Sequence, residues 1–173
     1  KYPSAQIRFM PMLGHEAHSA LENGSADLSL STNSSGRGHY TALGSIAFGV
    51  YAGLGHVLAT QKSTPIKELL TYDFITPASE VLGQSFAESM DGWRDDKLPR
   101  RTLYKNVGLS TLASLVEGNE GLAYLPEYLG KKLKVKRIKV TGCPYTCEQE
   151  IYLGTVLDVA FKRSSISERQ LPA

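Results

Sequence analysis

Two cysteines and two histidines stand at spacings that suggest redox or metal chemistry. Cys143 and Cys147 lie in the run CPYTC, with three residues between them. A redox pair needs an accessible thiol of low pKa and a resolving partner nearby, and these cysteines are close enough to pair; two reduced cysteines beside a turn at Pro144 are the alternative. His15 and His18 in HEAH are three positions apart, whereas zinc peptidases need two histidines four apart and a third ligand. We therefore predict no metal site and expect both histidines on the surface.

Motifs for other catalytic chemistry are missing from the sequence. No Gly-x-Ser-x-Gly elbow is present, so a serine hydrolase would lack its strained turn. The run GLGH at 53–56 has neither the lysine nor the glycines of a phosphate-binding loop. Glu80 is the only acid near a predicted strand end, so a small enzyme that uses it for acid–base chemistry stays a third candidate. We predict no enzymatic activity and no cofactor.

The bulk composition limits the classes of protein that fit. The chain has 173 residues, 42% of them hydrophobic, enough for one domain or two small lobes. A formal charge of +2 is too small to indicate a nucleic-acid surface, and two cysteines do not make a disulfide framework. No apolar run approaches the ~20 residues of a membrane span.

The strongest charge feature is a run of cations at 131–139 that alternates with aliphatic residues. No aromatic platform interleaves these charges, as single-strand nucleic-acid binders require. We therefore expect the aliphatic residues to face a core while the cations protect an exposed edge strand. The cations are Lys131, Lys132, Lys134, Lys136, Arg137 and Lys139, and the aliphatic residues are Leu133, Val135, Ile138 and Val140.

Hydrophobic periodicity predicts an alternation of strands and helices, and hence an α/β fold with mainly parallel strands. The clearest signal is LSTLASLVEGNEGLAYLP, in which an apolar helical face begins near a capping Ser110 and breaks at Gly118 before a strand. Predicted strands cover 5–12, 27–31, 44–52, the residues up to Ile75, 122–125, 132–140 and 150–156. Predicted helices cover 13–21 (ended by Gly24), a stretch from 64 with Thr64 as N-cap, 83–97, the stretch from 109 and 157–170.

The order of these pieces resembles the effector-binding domain of LysR-type transcriptional regulators. YPSAQIRFMPMLGHEAHSALENGSADLSLS is similar to the family's Tyr-Pro, strand, helix and L-x-x-G-x-x-D-L pattern. IKELLTYDFITPAS is similar to a second segment, with Leu70 where the family often has an acid. LASLVEGNEGLAYLPEYL resembles the family's V-x-x-G-x-G-I-A-x-L-P, with Glu120 replacing a small residue. The resemblance covers residues 2 to about 160 and implies a two-lobed fold like type II periplasmic binding proteins.

This resemblance implies a regulatory role with partners. Lobe I is expected at residues 1–47 and 149–173 and lobe II at 48–148, with hinges at 45–52 and 149–156. The family's first strand and helix and its winged helix-turn-helix are absent, so we expect an N-terminally truncated fragment with an incomplete first lobe that does not read DNA alone. A cytoplasmic homodimer or homotetramer is implied, with Ile7 and Phe9 on a dimer-forming edge strand. The alternatives are a transporter's solute-binding protein and a redox-sensing member that uses Cys143 and Cys147.

Four segments that we interpret as strand ends, three of them rich in glycine, serine or threonine, are the expected effector site. In an open α/β sheet, ligands bind outside the carboxyl ends of strands, and small residues let backbone amides approach a ligand closely. We expect these ends to converge on one cavity between the lobes. Thr32 stands where some family members carry a cation for carboxylate effectors, which favours a neutral or weakly charged ligand; an ordinary polar loop is the alternative at 32–33. The predicted site residues are Met12, Leu13, Gly14, Thr32, Asn33, Thr76, Pro77, Ala78, Ser79, Asn106 and Gly108.

Overall fold

The computed structural model describes residues 6–12, 14–35, 38–81, 89–145 and 147–156. Within these residues, helices and strands mix along the chain, and the predicted α/β class is confirmed. The helices are α1 (Gly14–Glu22), α2 (Ile66–Leu69), α3 (Leu109–Glu117) and α4 (Glu127–Gly130), with a 3-10 turn at Val57–Thr60. The strands are β1 (Leu28–Ser31), β2 (His39–Gly53), β3 (Thr64–Pro65), β4 (Asp73–Pro77), β5 (Arg101–Val107), β6 (Ala123–Pro126), β7 (Val135–Ile138), β8 (Val140–Thr141) and β9 (Glu148–Thr155).

The long strand β2 changes its partners part-way along its 15 residues. Its first part pairs antiparallel with β9, as far as Ala47 opposite Glu148. From Phe48 onward it pairs instead with β6 on one edge and with β7 on the other. Burial changes at the same place, because residues 39–45 are mostly exposed and residues 48–53 are all buried. A sheet in the order β1-β9-β2-β6 results.

Parallel pairing is confined to short strands, so the expectation of mainly parallel strands is wrong for the described residues. β4 pairs parallel with β5, β3 pairs parallel with β8, and a parallel bridge joins Phe74 to Leu122. Every pair that involves β2 or β9 is antiparallel. The physical reason is that β9 returns along β2 in the opposite direction, which no local sequence pattern records.

The core lies on both faces of the buried part of β2. Phe48 and Val50 face one layer, where they pack with Trp93 and Tyr124. Tyr51 faces the opposite layer, which α3 covers. Side chains alternate between faces along a strand, so one apolar run serves both layers.

Helix α3 forms where the sequence predicts it, because Leu112 and Val116 are four positions apart and both are almost fully buried. Burying one such side chain stabilises the fold by about 1.5–3 kcal/mol. The N-cap, however, is Gly108 and makes no side-chain hydrogen bond, so Ser110 is not the cap. Asn119 follows the helix at φ 67°, a left-handed conformation that asparagine tolerates better than most residues.

Three predicted elements are corrected by the structure. Residues 6–12 have no regular secondary structure, and Ile7 and Phe9 are 78% and 84% exposed, since no described strand pairs with them. Thr64 lies in β3 and donates to Gln61 Oε1 at 2.9 Å rather than capping a helix; α2 begins after Pro65. Residues 89–97 form turns and irregular backbone instead of a helix. The rest of the predicted helix at 83–97, up to residue 88, and the predicted helix at 157–170 lie outside the described residues.

Candidate functional site

The carboxyl ends of β4 and β5 lie side by side and bring six of the predicted site residues together. Pro77 pairs with Val107, and the Ala78 backbone N–H donates to the Val107 carbonyl at 2.9 Å. Residues 76–79 therefore adjoin residues 106–108 at one end of a parallel pair. We call these two segments the mouth. Its site residues are Thr76, Pro77, Ala78, Ser79, Asn106 and Gly108.

The mouth presents polar groups that can bind a ligand. Ser79 and Asn106 are exposed and Thr76 is half-buried, and the described part of the chain provides no hydrogen-bond partner for these three side chains. Asn106 has φ 55°, a left-handed conformation in which its side chain leaves the regular path of the strand. Helix α3 begins directly after Gly108, so its first backbone N–H groups add donors beside this site.

The other predicted residues lie on different elements. Thr32 follows β1 and is half-buried, and its carbonyl accepts a hydrogen bond from Gln149 Nε2 at 3.1 Å. The Asn33 side chain closes its own turn, with Oδ1 accepting from the Ser35 N–H at 2.8 Å. In the described residues, no strand pairing or hydrogen bond links this turn to the mouth.

At the start of α1, Met12 is 39% exposed and Gly14 is the first helical residue. Leu13 lies outside the described residues.

A second concave region lies beside the partner change of β2. After Ile138 the chain leaves β2, passes through β8, and returns where the Phe48 N–H donates to the Cys147 carbonyl at 2.7 Å. Residues 139–145 and 147, which we call the flap, border together with β2 a half-open cavity of about 520 Å³. That volume is in the range of small-molecule pockets. The cavity lining is Phe48, Gly49, Val50, Trp93, Tyr124, Arg137, Ile138, Lys139, Val140, Cys143, Tyr145 and Cys147.

Several polar groups lie in the cavity wall. Burial raises the pKa of the Tyr124 hydroxyl, which lines the same cavity as the Cys147 sulfur. Burial also raises the pKa of the Cys147 thiol, so both groups stay protonated at neutral pH. On another wall, Arg137 Nη2 donates to the Phe48 carbonyl at 3.1 Å.

A sequence model of the family described as the LysR substrate binding domain matches residues 1–155. The chain belongs to this family. The match confirms the resemblance seen in the sequence, and it identifies the chain as an effector-binding regulatory domain with the two-lobed α/β fold. It also favours a regulator over a transporter's solute-binding protein. No curated protein sequence matches the chain.

Solved structures of LysR regulators share the fold of this domain at low sequence identity. The regulatory domain of CcmR from Synechocystis PCC6803, in complex with 2-PG, has a TM-score of 0.69 at 14% identity, over 99% of this chain and 88% of that one. The effector binding domain of QuiR in complex with shikimate has a TM-score of 0.62 at 16% identity, over 90% and 76%. Full-length CbnR, complexed with its target DNA, has a TM-score of 0.67 at 12% identity, over 90% and 55%.

A buried ion cluster supports one wall of the cavity in this LysR domain, and the sequence analysis missed it. The Arg100 side chain has no exposed surface, and neither has that of Asp91, to which Nη1 donates at 2.8 Å. Nη2 donates to Asp95 at 2.7 Å and to Ser89 Oγ at 3.3 Å. The guanidinium carbon lies 5.1 Å from the centre of the Trp93 ring. The only sequence signal was a tryptophan between charged residues, DGWRDD.

His15 is exposed, as predicted, whereas His18 and the aliphatic residues of the basic run pack in the fold. His18 Nε2 lies 3.2 Å from Ser31 Oγ and its ring packs on Tyr40, so this histidine is half-buried rather than solvated. The described residues contain no group of three or more histidine, cysteine or acidic residues able to hold a metal. Aliphatic members of the basic run pack against the core, as predicted, with Ile138 buried. No described helix is both long and apolar enough to cross a membrane.

Proposed function

We propose that this LysR domain binds a small polar effector at the mouth and transmits binding through the hinge formed by β2 and β9. The observation that carries the proposal is the Ala78–Val107 hydrogen bond. It holds residues 76–79 next to residues 106–108, at the strand ends where open α/β sheets bind ligands. The start of α3 supplies further donors for a polar or weakly anionic group.

The partner change of β2 supports a division into two lobes. We place lobe I at residues 1–47 and 149–173 and lobe II at 48–148, because β2 leaves β9 for β6 and β7 between Ala47 and Phe48. Thr32 in lobe I and the mouth in lobe II would then contact one ligand from two sides, with Met12, Leu13, Gly14 and Asn33 on the lobe I side. A shift from 1:99 to 99:1 in favour of the closed form needs about 5.5 kcal/mol of differential binding.

In the complete regulator, we propose that this response controls a separate DNA-binding domain in a homodimer or homotetramer located in the cytoplasm. Full-length CbnR, which shares the fold, was solved with its target DNA. The domain itself is proposed to be non-catalytic, because binding and release of an effector are sufficient for a switch.

Binding experiments with matched variants test the site. Small hydroxylated acids and neutral polyols are screened by thermal shift, since a ligand that binds the folded state raises its melting temperature. Affinity for the best compound is then measured by calorimetry for Ser79→Ala, Thr76→Val and Asn106→Gly; glycine accepts the left-handed backbone and removes only the amide. Each lost hydrogen bond, worth about 1 kcal/mol, should weaken binding about fivefold.

Ser63→Ala is the matched control, because Ser63 is exposed and lies outside the mouth and the cavity. Its affinity should equal that of the wild type. Unchanged affinity in all three mouth variants would place the effector elsewhere, and equal weakening in the Ser63 variant would show a general loss of folding.

A further inference from the structure

The two cysteines converge on one point of the cavity wall, apart from the mouth. Cys143 Sγ lies 3.9 Å and Cys147 Sγ 3.8 Å from the same carbonyl oxygen, that of Tyr145. Both sulfurs are free thiols, both side chains are half-buried, and both line the flap cavity. No other cysteine exists in the chain, so any thiol chemistry is confined to this pair.

The two thiols share one hydrogen-bond acceptor. Both Cys143 and Cys147 donate to the Tyr145 carbonyl, so the two sulfurs face the same point of the flap. Burial raises the pKa of the Cys147 thiol, and the Phe48 N–H fixes its backbone to β2. We therefore assign Cys147 as the resolving sulfur and Cys143 as the attacking one.

We propose that Cys143 and Cys147 form a reversible disulfide at the wall of the flap cavity, with a low-molecular-weight disulfide such as glutathione disulfide as the oxidant. The Cys143 thiolate attacks one sulfur of glutathione disulfide, the S–S bond breaks, and one glutathione leaves as a thiolate. Cys147 then gives up its proton to solvent and attacks the Cys143 sulfur, which releases the second glutathione thiolate. In total, the two protein thiols are oxidised to one disulfide and one glutathione disulfide is reduced to two glutathione molecules. The two protons that the cysteines lose to solvent are balanced by the two that the glutathione thiolates take up.

The surroundings of the pair support this reaction. The cavity of about 520 Å³ leaves room for a small reagent to approach the sulfurs. Cys147 packs against the buried cluster that contains Tyr124, which fixes its position in the cavity wall. The backbone of Cys147 is held to β2 by the Phe48 N–H, so a crosslink to Cys143 would tie the flap to the hinge.

Trp93 provides a local readout, because it is the only tryptophan and lines the same cavity. A disulfide close to an indole quenches its emission. The purified chain is equilibrated in mixtures of reduced and oxidised glutathione, and thiols, intact mass and Trp93 emission are measured together. We expect loss of both thiols, a 143–147 crosslink in the peptide map, quenched emission, and full reversal by dithiothreitol.

The variants Cys143→Ser and Cys147→Ser separate the attack on glutathione disulfide from the closure of the protein disulfide. Cys147→Ser should hold a stable glutathione adduct on Cys143, and neither variant should show the quenching. Thiols that stay free in the wild type, a persistent adduct, a crosslink only between chains, or a 143–147 disulfide that leaves Trp93 emission unchanged would each overturn the proposal. These measurements contain no effector, so they stand or fall independently of the proposed function.

Discussion

Replacing Arg100 by methionine is expected to destabilise the domain severely, because it leaves the buried Asp91 carboxylate without its cation. The Asp91 side chain has no exposed surface, and two guanidinium nitrogens donate to its two oxygens at 2.8 and 3.2 Å. Removing one partner of a buried ion pair costs about 3–5 kcal/mol. Since a domain of this kind is stabilised by about 5–15 kcal/mol, Arg100→Met should remove a large part of its unfolding free energy.

Two companion variants test the origin of that loss. Arg100→Lys keeps the charge but not the planar fork that serves Asp91, Asp95 and Ser89 together, so it should be destabilised less than Arg100→Met. Lys131→Met removes a cation of which 72% of the side chain is exposed, in an i,i+4 pair with Glu127. Exposed pairs of this kind contribute about 0.2–1 kcal/mol, so the control should stay near the wild type.

Urea unfolding followed by Trp93 emission measures these differences, because the Trp93 ring packs on the Arg100 guanidinium. The double variant Asp91→Asn with Arg100→Met should recover part of the loss, since it removes the orphaned charge. A loss below about 1 kcal/mol in Arg100→Met, or one equal to that of Lys131→Met, would refute the argument that this cluster is buried and dependent on its cation.

Two other substitutions test the packing and the pH response of the same half of the domain. Gly53→Ala should cost about 1–3 kcal/mol in urea unfolding, because its Cβ would overlap the Asn119 side chain and the Val116 carbonyl, while Gly108→Ala, which meets no atom within 4 Å, should be nearly neutral. Burial lowers the pKa of His56, whose Nδ1 accepts a hydrogen bond from a backbone N–H. Its contribution to stability is therefore present above the unfolded pKa of about 6.5. This contribution is lost as the pH falls through the lowered folded pKa. His56→Asn should flatten the melting temperature between pH 7.5 and 5; an unchanged slope would assign the response to another group.

Local sequence pattern was sufficient for elements whose burial follows a short period. Helix α3 was predictable because Leu112 and Val116 repeat at helical spacing and Gly118 follows. The strands β1 and β9 were predictable because apolar residues alternate with other residues along them. The prediction of a strand at 5–12 was wrong because a strand also needs a neighbouring strand for its backbone hydrogen bonds. The alternation of Ile7 and Phe9 does not show whether such a neighbour exists.

The contacts between distant segments could not be predicted from local sequence pattern. The adjacency of residues 76–79 and 106–108 could be predicted, because the ends of parallel strands meet at one edge of a sheet. That Thr32 also contacts the effector is still a prediction. The flap cavity was missed because its wall comes from distant segments, such as Phe48, Trp93 and Tyr124, that carry no common motif. The burial of Arg100 was missed because charged residues in a row indicate surface unless their partners are known.

Strand β2 pairs with β9 along its first part and with β6 and β7 along its second part, so its length fixes the register of both sets of strands. Adding or deleting one residue between Ala47 and Phe48 would turn every later side chain to the opposite face, so that Val50 would exchange layers with Tyr51 while β9 kept its own register. A two-residue change would preserve the faces but slide one lobe along the other by about 7 Å. The change of partners between Ala47 and Phe48 therefore fixes the spacing of the two lobes along β2. We expect natural insertions and deletions in the loops of such a domain and not in this strand.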